Sequence, residues 1–95
     1  IQPDIIVCRS EHEVDQGIRD KIALFCNVPN SHVLQNLDVE YLYEAPLAME
    51  AENLAKVACE CLHIDCPEPD LTDWKQMVDD LRHPDKNVKI ALVGK

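Results

Sequence analysis

The sequence predicts an α/β fold, and three features carry that expectation. Residues 5–8 (Ile-Ile-Val-Cys) form a short, branched apolar run, the pattern of a strand covered on both faces in a parallel sheet. Behind it come stretches whose apolar residues recur every three or four positions, as amphipathic helices require. Residues 88–93 form a second apolar run that ends at Gly94, as the opening strand of an α/β unit does. At 95 residues the chain is one domain or less. A chain of this size buries only about 60–65% of the surface its unfolded form exposes, so a large self-contained core is not expected.

The elements follow in order. Pro3 and Asp4 precede the first strand, and Arg9 and Ser10 end it abruptly. Ligands of open α/β sheets bind at the carboxyl ends of strands, which makes Arg9 a candidate contact. The equal alternative is a surface arginine that only ends a strand. Residues 15–26 read as a helix, with Ile18, Ile22, Phe25 and Cys26 on one stripe and Asp15 as its N-cap. Gly17 weakens its first turn by ~1 kcal/mol relative to Ala. Lys21 stands beside the stripe; by spacing alone it is a solvated side chain paired with Asp20 or Glu13. A turn around Pro29 leads to a second short strand that starts at Val33 and ends near Leu37, Asp38 and Val39. Residues 41–44 fit either extended chain or one helical turn. Pro46 suits a first helical position, and one helix is expected from Leu47 to Leu62, a stretch free of Pro and Gly. Pro67 and Pro69 force extended chain. Asp70 or Thr72 then caps a helix over residues 73–81, with Trp74, Met77, Val78 and Leu81 on one face.

Composition narrows the function classes. Eighteen acids against nine bases give a net charge of -9, which argues against a sequence-independent grip on nucleic acid and against docking on anionic membranes. A mononucleotide ligand remains compatible, because one or two placed cations and backbone N–H groups suffice for it. No apolar run approaches the ~20 residues of a membrane span. The start, Ile1-Gln2-Pro3-Asp4, has no signal-peptide pattern and no initiator Met, so an excised piece is expected. Five cysteines without a secretory signal point to reduced thiols and a cytoplasmic location.

Motif searches mostly fail. The chain holds two glycines and so has neither a P-loop nor a G-x-G-x-x-G turn; Gly94-Lys95 has the tail of a P-loop without its earlier glycine. Cys59, Cys61, His63 and Cys66 are donors that suit zinc. However, Cys59 and Cys61 are two apart on a helix, roughly 200° around its axis, and free cysteine is a common core residue. No metal site is assigned.

Five segments in this order resemble the CTP synthase family, in its bacterial form. They are residues 1–10; residues 21–28 (Lys-Ile-Ala-Leu-Phe-Cys-Asn-Val); Leu37-Asp38-Val39 with Tyr43 and Pro46; residues 66–71 with Trp74; and residues 90–95. Residues 21–28 and 90–95 are the most specific. The resemblance implies that residues 1–64 are the C-terminal part of the ATP- and UTP-binding synthase domain, a P-loop-related, dethiobiotin-synthetase-like fold. It makes residues 65–87 an interdomain linker with a helix, and residues 88–95 the first strand of a flavodoxin-like class I glutamine amidotransferase domain.

The reaction implied is the ATP-dependent amination of UTP to CTP. ATP phosphorylates O4 of UTP, glutamine supplies ammonia through a Cys–His–Glu triad, and ammonia displaces the phosphate, with Mg²⁺ on the phosphates. The triad, the P-loop-like segment and the Mg²⁺ ligands would lie outside these 95 residues, which would be inactive alone. Residue by residue, the resemblance makes Lys21 a contact of the UTP or CTP nucleotide. It puts Leu37, Asp38 and Val39 along the ATP adenine through their backbone, with Arg9 near that adenine. It also implies a homotetramer. Two positions depart from the family pattern: His12 stands where a basic residue, commonly Arg, is frequent, and Leu37 where some members have Lys. Two other readings belong to different classes: a noncatalytic α/β module whose acidic surface binds a protein partner, and a Cys/His zinc-binding module.

Overall fold

The computed structural model describes residues 1–95. Two parallel strands, β1 (Ile6–Ser10) and β2 (Val33–Leu37), pair with Ile6 opposite Val33 and Ser10 opposite Leu37. The crossover between them is α1 (Gln16–Cys26), so the first part of the chain is a βαβ unit. Behind β2 come α2 (Ala45–Ala51), α3 (Leu54–Leu62) and, after an extended stretch, α4 (Thr72–Arg82). Single 3₁₀ turns occupy Asn30–His32 and Leu42–Glu44, the latter resolving the ambiguity over residues 41–44 in favour of the helical turn.

The core lies between the sheet and α1. Ala23, Val28 and Val33 are buried there, with Ile6, Cys8, Ile22 and Cys26 packed around them. Leu34, on the opposite face of β2, is also fully buried. β1 departs from the expectation of cover on both faces: Val7 is 46% exposed, because α1 covers only the side that carries Ile6 and Cys8. The strand also runs through Arg9 and Ser10 instead of ending before them.

α1 ends in Asn27 at φ 54°, with Val28 N–H returning to Ala23 O at 3.0 Å and Asn27 N–H to Leu24 O at 3.4 Å. This closure supplies acceptors' partners at the helix end and turns Val28 into the core. Its helical stripe is corrected at two of four positions, the first being Ile18, which is exposed. Ile22 and Cys26 pack inward, but Phe25 and Leu24 are 84% and 79% exposed and Ala23 takes the central place.

The single helix expected over residues 47–62 is two. Asn53 adopts a left-handed conformation at φ 62° and ψ 31° between α2 and α3, which a chain free of Pro and Gly does not advertise. α4 docks back on the Leu42–Glu44 turn. Trp74 Nε1 donates to Tyr43 O at 2.7 Å, and the two rings meet edge to face at 6.1 Å. Arg82 forms an ion pair with the carboxylate of the buried Glu44 and lies 5.9 Å from the Tyr41 ring. The Glu44 Oε1 is buried and meets Arg82 without an aligned hydrogen bond. Residues 83–95 form no element.

Candidate functional site

The carboxyl ends of the two strands bring four of the five expected site residues together. Arg9 lies opposite Asn36 in the ladder, and its Nη1 donates to Ser10 O at 3.1 Å and to Asn36 O at 3.2 Å. Its Nη2 pairs with the Asp38 carboxylate. The guanidinium is thus held at the end of both strands by acceptors from Ser10, Asn36 and Asp38. Asp38 N–H donates to Ser10 O at 3.2 Å and carries the ladder one residue past β2. Leu37 and Val39 flank it, half-buried. The Val39 N–H, next along, has no backbone partner. This edge combines an exposed cationic plane with a free backbone donor, which suits a flat heterocycle with ring acceptors.

Lys21 stands elsewhere. Side chains alternate along a strand, so Arg9 projects from the face opposite to the one α1 covers, and Lys21 is carried by α1. It is exposed and enters no ion pair. The pairing with Asp20 or Glu13 that spacing suggests is not made: Asp20 instead accepts from Gln16 and Asn30, both at 2.8 Å. Two open cavities, of about 620 and 560 Å³, touch neither Arg9 nor Lys21.

The sequence reading missed a polar cluster that sets the frame of this edge. Arg19 donates through Nη2 to Val33 O at 2.7 Å and to Glu52 Oε2 at 2.8 Å. Glu52 accepts from Gln35 N–H at 3.2 Å and from Gln35 Nε2 at 3.3 Å. Gln35 Oε1 in turn accepts from Val14 N–H at 3.0 Å. Val33 C=O and Gln35 N–H lie on the outer edge of β2, where a third strand would pair. Arg19 and Glu52 satisfy them instead, with side chains only 19% and 18% exposed. Nothing in the local sequence marks these three residues, since their partners lie 14 to 33 positions away.

The cysteine and histidine cluster does not converge. Cys61 Sγ lies 3.8 Å from His32 Nδ1, which also contacts Asp4 O at 2.8 Å. Cys59 faces Cys66 instead, and the hydrogen bond to that thiol, with burial second, raises the Cys59 pKa above that of a free cysteine. No three His, Cys, Asp or Glu side chains are placed together so that they could hold a metal ion.

Residues 1–64 match the family model described as CTP synthase N-terminus. The chain belongs to the CTP synthase family. Residues 1–64 are therefore from the N-terminal part of such an enzyme. Among curated relatives, the CTP synthases of Ruminiclostridium cellulolyticum and Symbiobacterium thermophilum are each 53% identical to it, and that of Clostridium beijerinckii 52%, in every case across all 95 residues. The chain spans 18% of the length of each of these CTP synthases. No helix is long and apolar enough to cross a membrane.

Proposed function

We propose that this chain is a nucleotide-binding part of a cytoplasmic, homotetrameric CTP synthase, which aminates UTP to CTP at the expense of ATP with ammonia from glutamine. Residues 1–64 are the end of the dethiobiotin-synthetase-like synthase domain. Residues 65–87 are the linker, and residues 88–95 open the flavodoxin-like glutaminase domain. Family membership supports the reaction. The observation that carries the site is the meeting of Arg9 with residues 37–39 at the carboxyl ends of two parallel strands.

There the adenine of ATP lies along the backbone of Leu37, Asp38 and Val39. Its ring acceptors face the Val39 N–H, and the Arg9 guanidinium stacks on its plane. Asp38 acts through its backbone and by holding Arg9, whose orientation needs no further side chain. Lys21, on the α1 side of the sheet, is free to donate to UTP or CTP. ATP is used with Mg²⁺, which neutralises its phosphates. The residues here do not fit a ligand set for it, because Asp38, the carboxylate nearest the site, is taken by Arg9. No Mg²⁺ ligand and no catalytic residue is assigned to these 95 residues.

In the complete enzyme, Arg9→Ala is expected to raise the KM for ATP by about 2–30-fold, the ~0.5–2 kcal/mol of a stacked guanidinium. Glutamine hydrolysis measured without the synthase substrates should be unchanged. An ATP KM unaltered by this substitution would overturn the assignment.

A further inference from the structure

α3 closes on a left-handed residue, His63, at φ 55°. The His63 N–H bonds Glu60 O at 3.2 Å, and the Ile64 N–H returns to Cys59 O at 2.9 Å. That pair of bonds reverses the chain. Residues 65–69, stiffened by Pro67 and Pro69, run back along the helix and border an open cavity of about 560 Å³ lined by Lys56, Cys59 and Cys66 among others. The reversal carries Cys66, seven positions on, back beside α3, so that it lines the same cavity as Cys59. Both are free; Cys66 is exposed and Cys59 half-buried.

We propose that Cys59 and Cys66 are a reversible dithiol–disulfide pair, oxidised by a low-molecular-weight aliphatic disulfide, that fastens the start of the linker to α3. The exposed Cys66 thiolate attacks one sulfur of the small disulfide and expels a small thiolate, leaving a mixed disulfide. Cys59 then loses its proton to water, and its thiolate attacks the Cys66 sulfur. The bond between Cys66 and the small thiol breaks, and the second small thiolate leaves. Two protein thiols are oxidised, and one small disulfide is reduced to two thiols. Cys59 holds its proton more tightly than a free cysteine, which suits the second, resolving role. Cys61 does not compete, because it faces His32 on another side of the helix. The step involves none of the proposed nucleotide contacts and stands apart from them.

The test is incubation of the full-length protein with glutathione disulfide, followed by thiol blocking and a non-reducing peptide map by mass spectrometry. The expected product is one intrachain link between Cys59 and Cys66, two hydrogens lighter than the reduced chain and reopened by reduced glutathione. Cys59→Ser should arrest the reaction, with at least about tenfold more glutathione held on Cys66 than in the wild type. Because the link is mapped on the wild-type protein, the result does not depend on the variant's folding. Wild-type protein that stops at the mixed disulfide, pairs either cysteine elsewhere, or leaves both thiols free overturns the proposal.

Discussion

At the residue scale, the division of labour between Arg9 and Asp38 rests on what each atom already does. The Asp38 N–H is committed to Ser10 O, and its carboxylate to Arg9. That ion pair is more than half exposed on both sides, and exposed pairs contribute only ~0.2–1 kcal/mol. Asp38→Asn should therefore change the ATP KM less than Arg9→Ala does; steady-state kinetics with both variants checks the order. Lys21 has no competing partner, so its ammonium is available to a ligand. In the complete enzyme Lys21→Ala is expected to weaken UTP use and CTP inhibition together, by ~10–150-fold for a charge-assisted hydrogen bond worth ~1.5–3 kcal/mol. Asp70 shows a residue whose environment predicts a pH effect. Its Oδ1 accepts from the Thr72 hydroxyl at 2.6 Å and from the Thr72 N–H at 3.1 Å. These bonds lower its pKa, the hydroxyl most. The folded-state pKa lies below the unfolded one, so the contribution to stability is full above the unfolded pKa and is lost as pH falls through the folded value. Fraying of the first turn of α4 should track that loss in amide exchange, and Asp70→Asn should flatten its pH dependence.

At the scale of elements, the clearest lesson is the break between α2 and α3. Periodicity, helix propensity and the absence of Pro and Gly all argue for one helix over residues 47–62, and each of those signals is local. The break is imposed by a distant partner: turning the chain at Asn53 lets Glu52 reach Arg19 and Gln35 on the edge of β2. Asparagine tolerates the left-handed conformation that this requires. Asn53→Gly should be neutral or stabilising by up to ~1 kcal/mol, whereas Asn53→Val should cost ~1–2 kcal/mol. Chemical denaturation of the full-length protein would show both, and equal effects would mean that the turn is not under conformational control. Two of the expected strands and the first and last helices formed near where their apolar spacing puts them, since burying that spacing is what orders them, whereas the strand expected over residues 88–93 forms no element. The Arg19–Gln35–Glu52 cluster was invisible for the opposite reason: three polar residues acquire their role only when an unpaired sheet edge is brought beside them. Trp74 belongs to the same class. Its apolar spacing was readable, but its partner, Tyr43 O, is set 31 residues away.

For the whole molecule the limiting quantity is the core. Seven of 95 residues are buried, and six of those are apolar. The radius of gyration is 17.5 Å, against about 12–13 Å for a closed domain of this length. Val7, Leu24 and Phe25 leave apolar surface in water, and Ile90, Leu92 and Val93 are each at least 89% exposed. Full burial of an apolar side chain contributes only ~1.5–3 kcal/mol, while ordering each backbone residue costs ~1–2 kcal/mol. So small a core cannot hold residues 88–93 in a strand, because no backbone partner within the chain offsets the ordering. The isolated 95-residue chain should therefore be marginally folded and prone to association through the open edge of β1. Hydrogen exchange separates the two halves of this argument. In the isolated chain, the amides of residues 90–93 should exchange at nearly the rate of an unfolded peptide, and those of β2 more slowly. In the full-length protein the same 90–93 amides should gain strong protection as the first strand of the next sheet. Protection of those amides in the monomeric isolated chain would mean that the strand finds its partner within residues 1–87, and the division at residue 88 would be wrong.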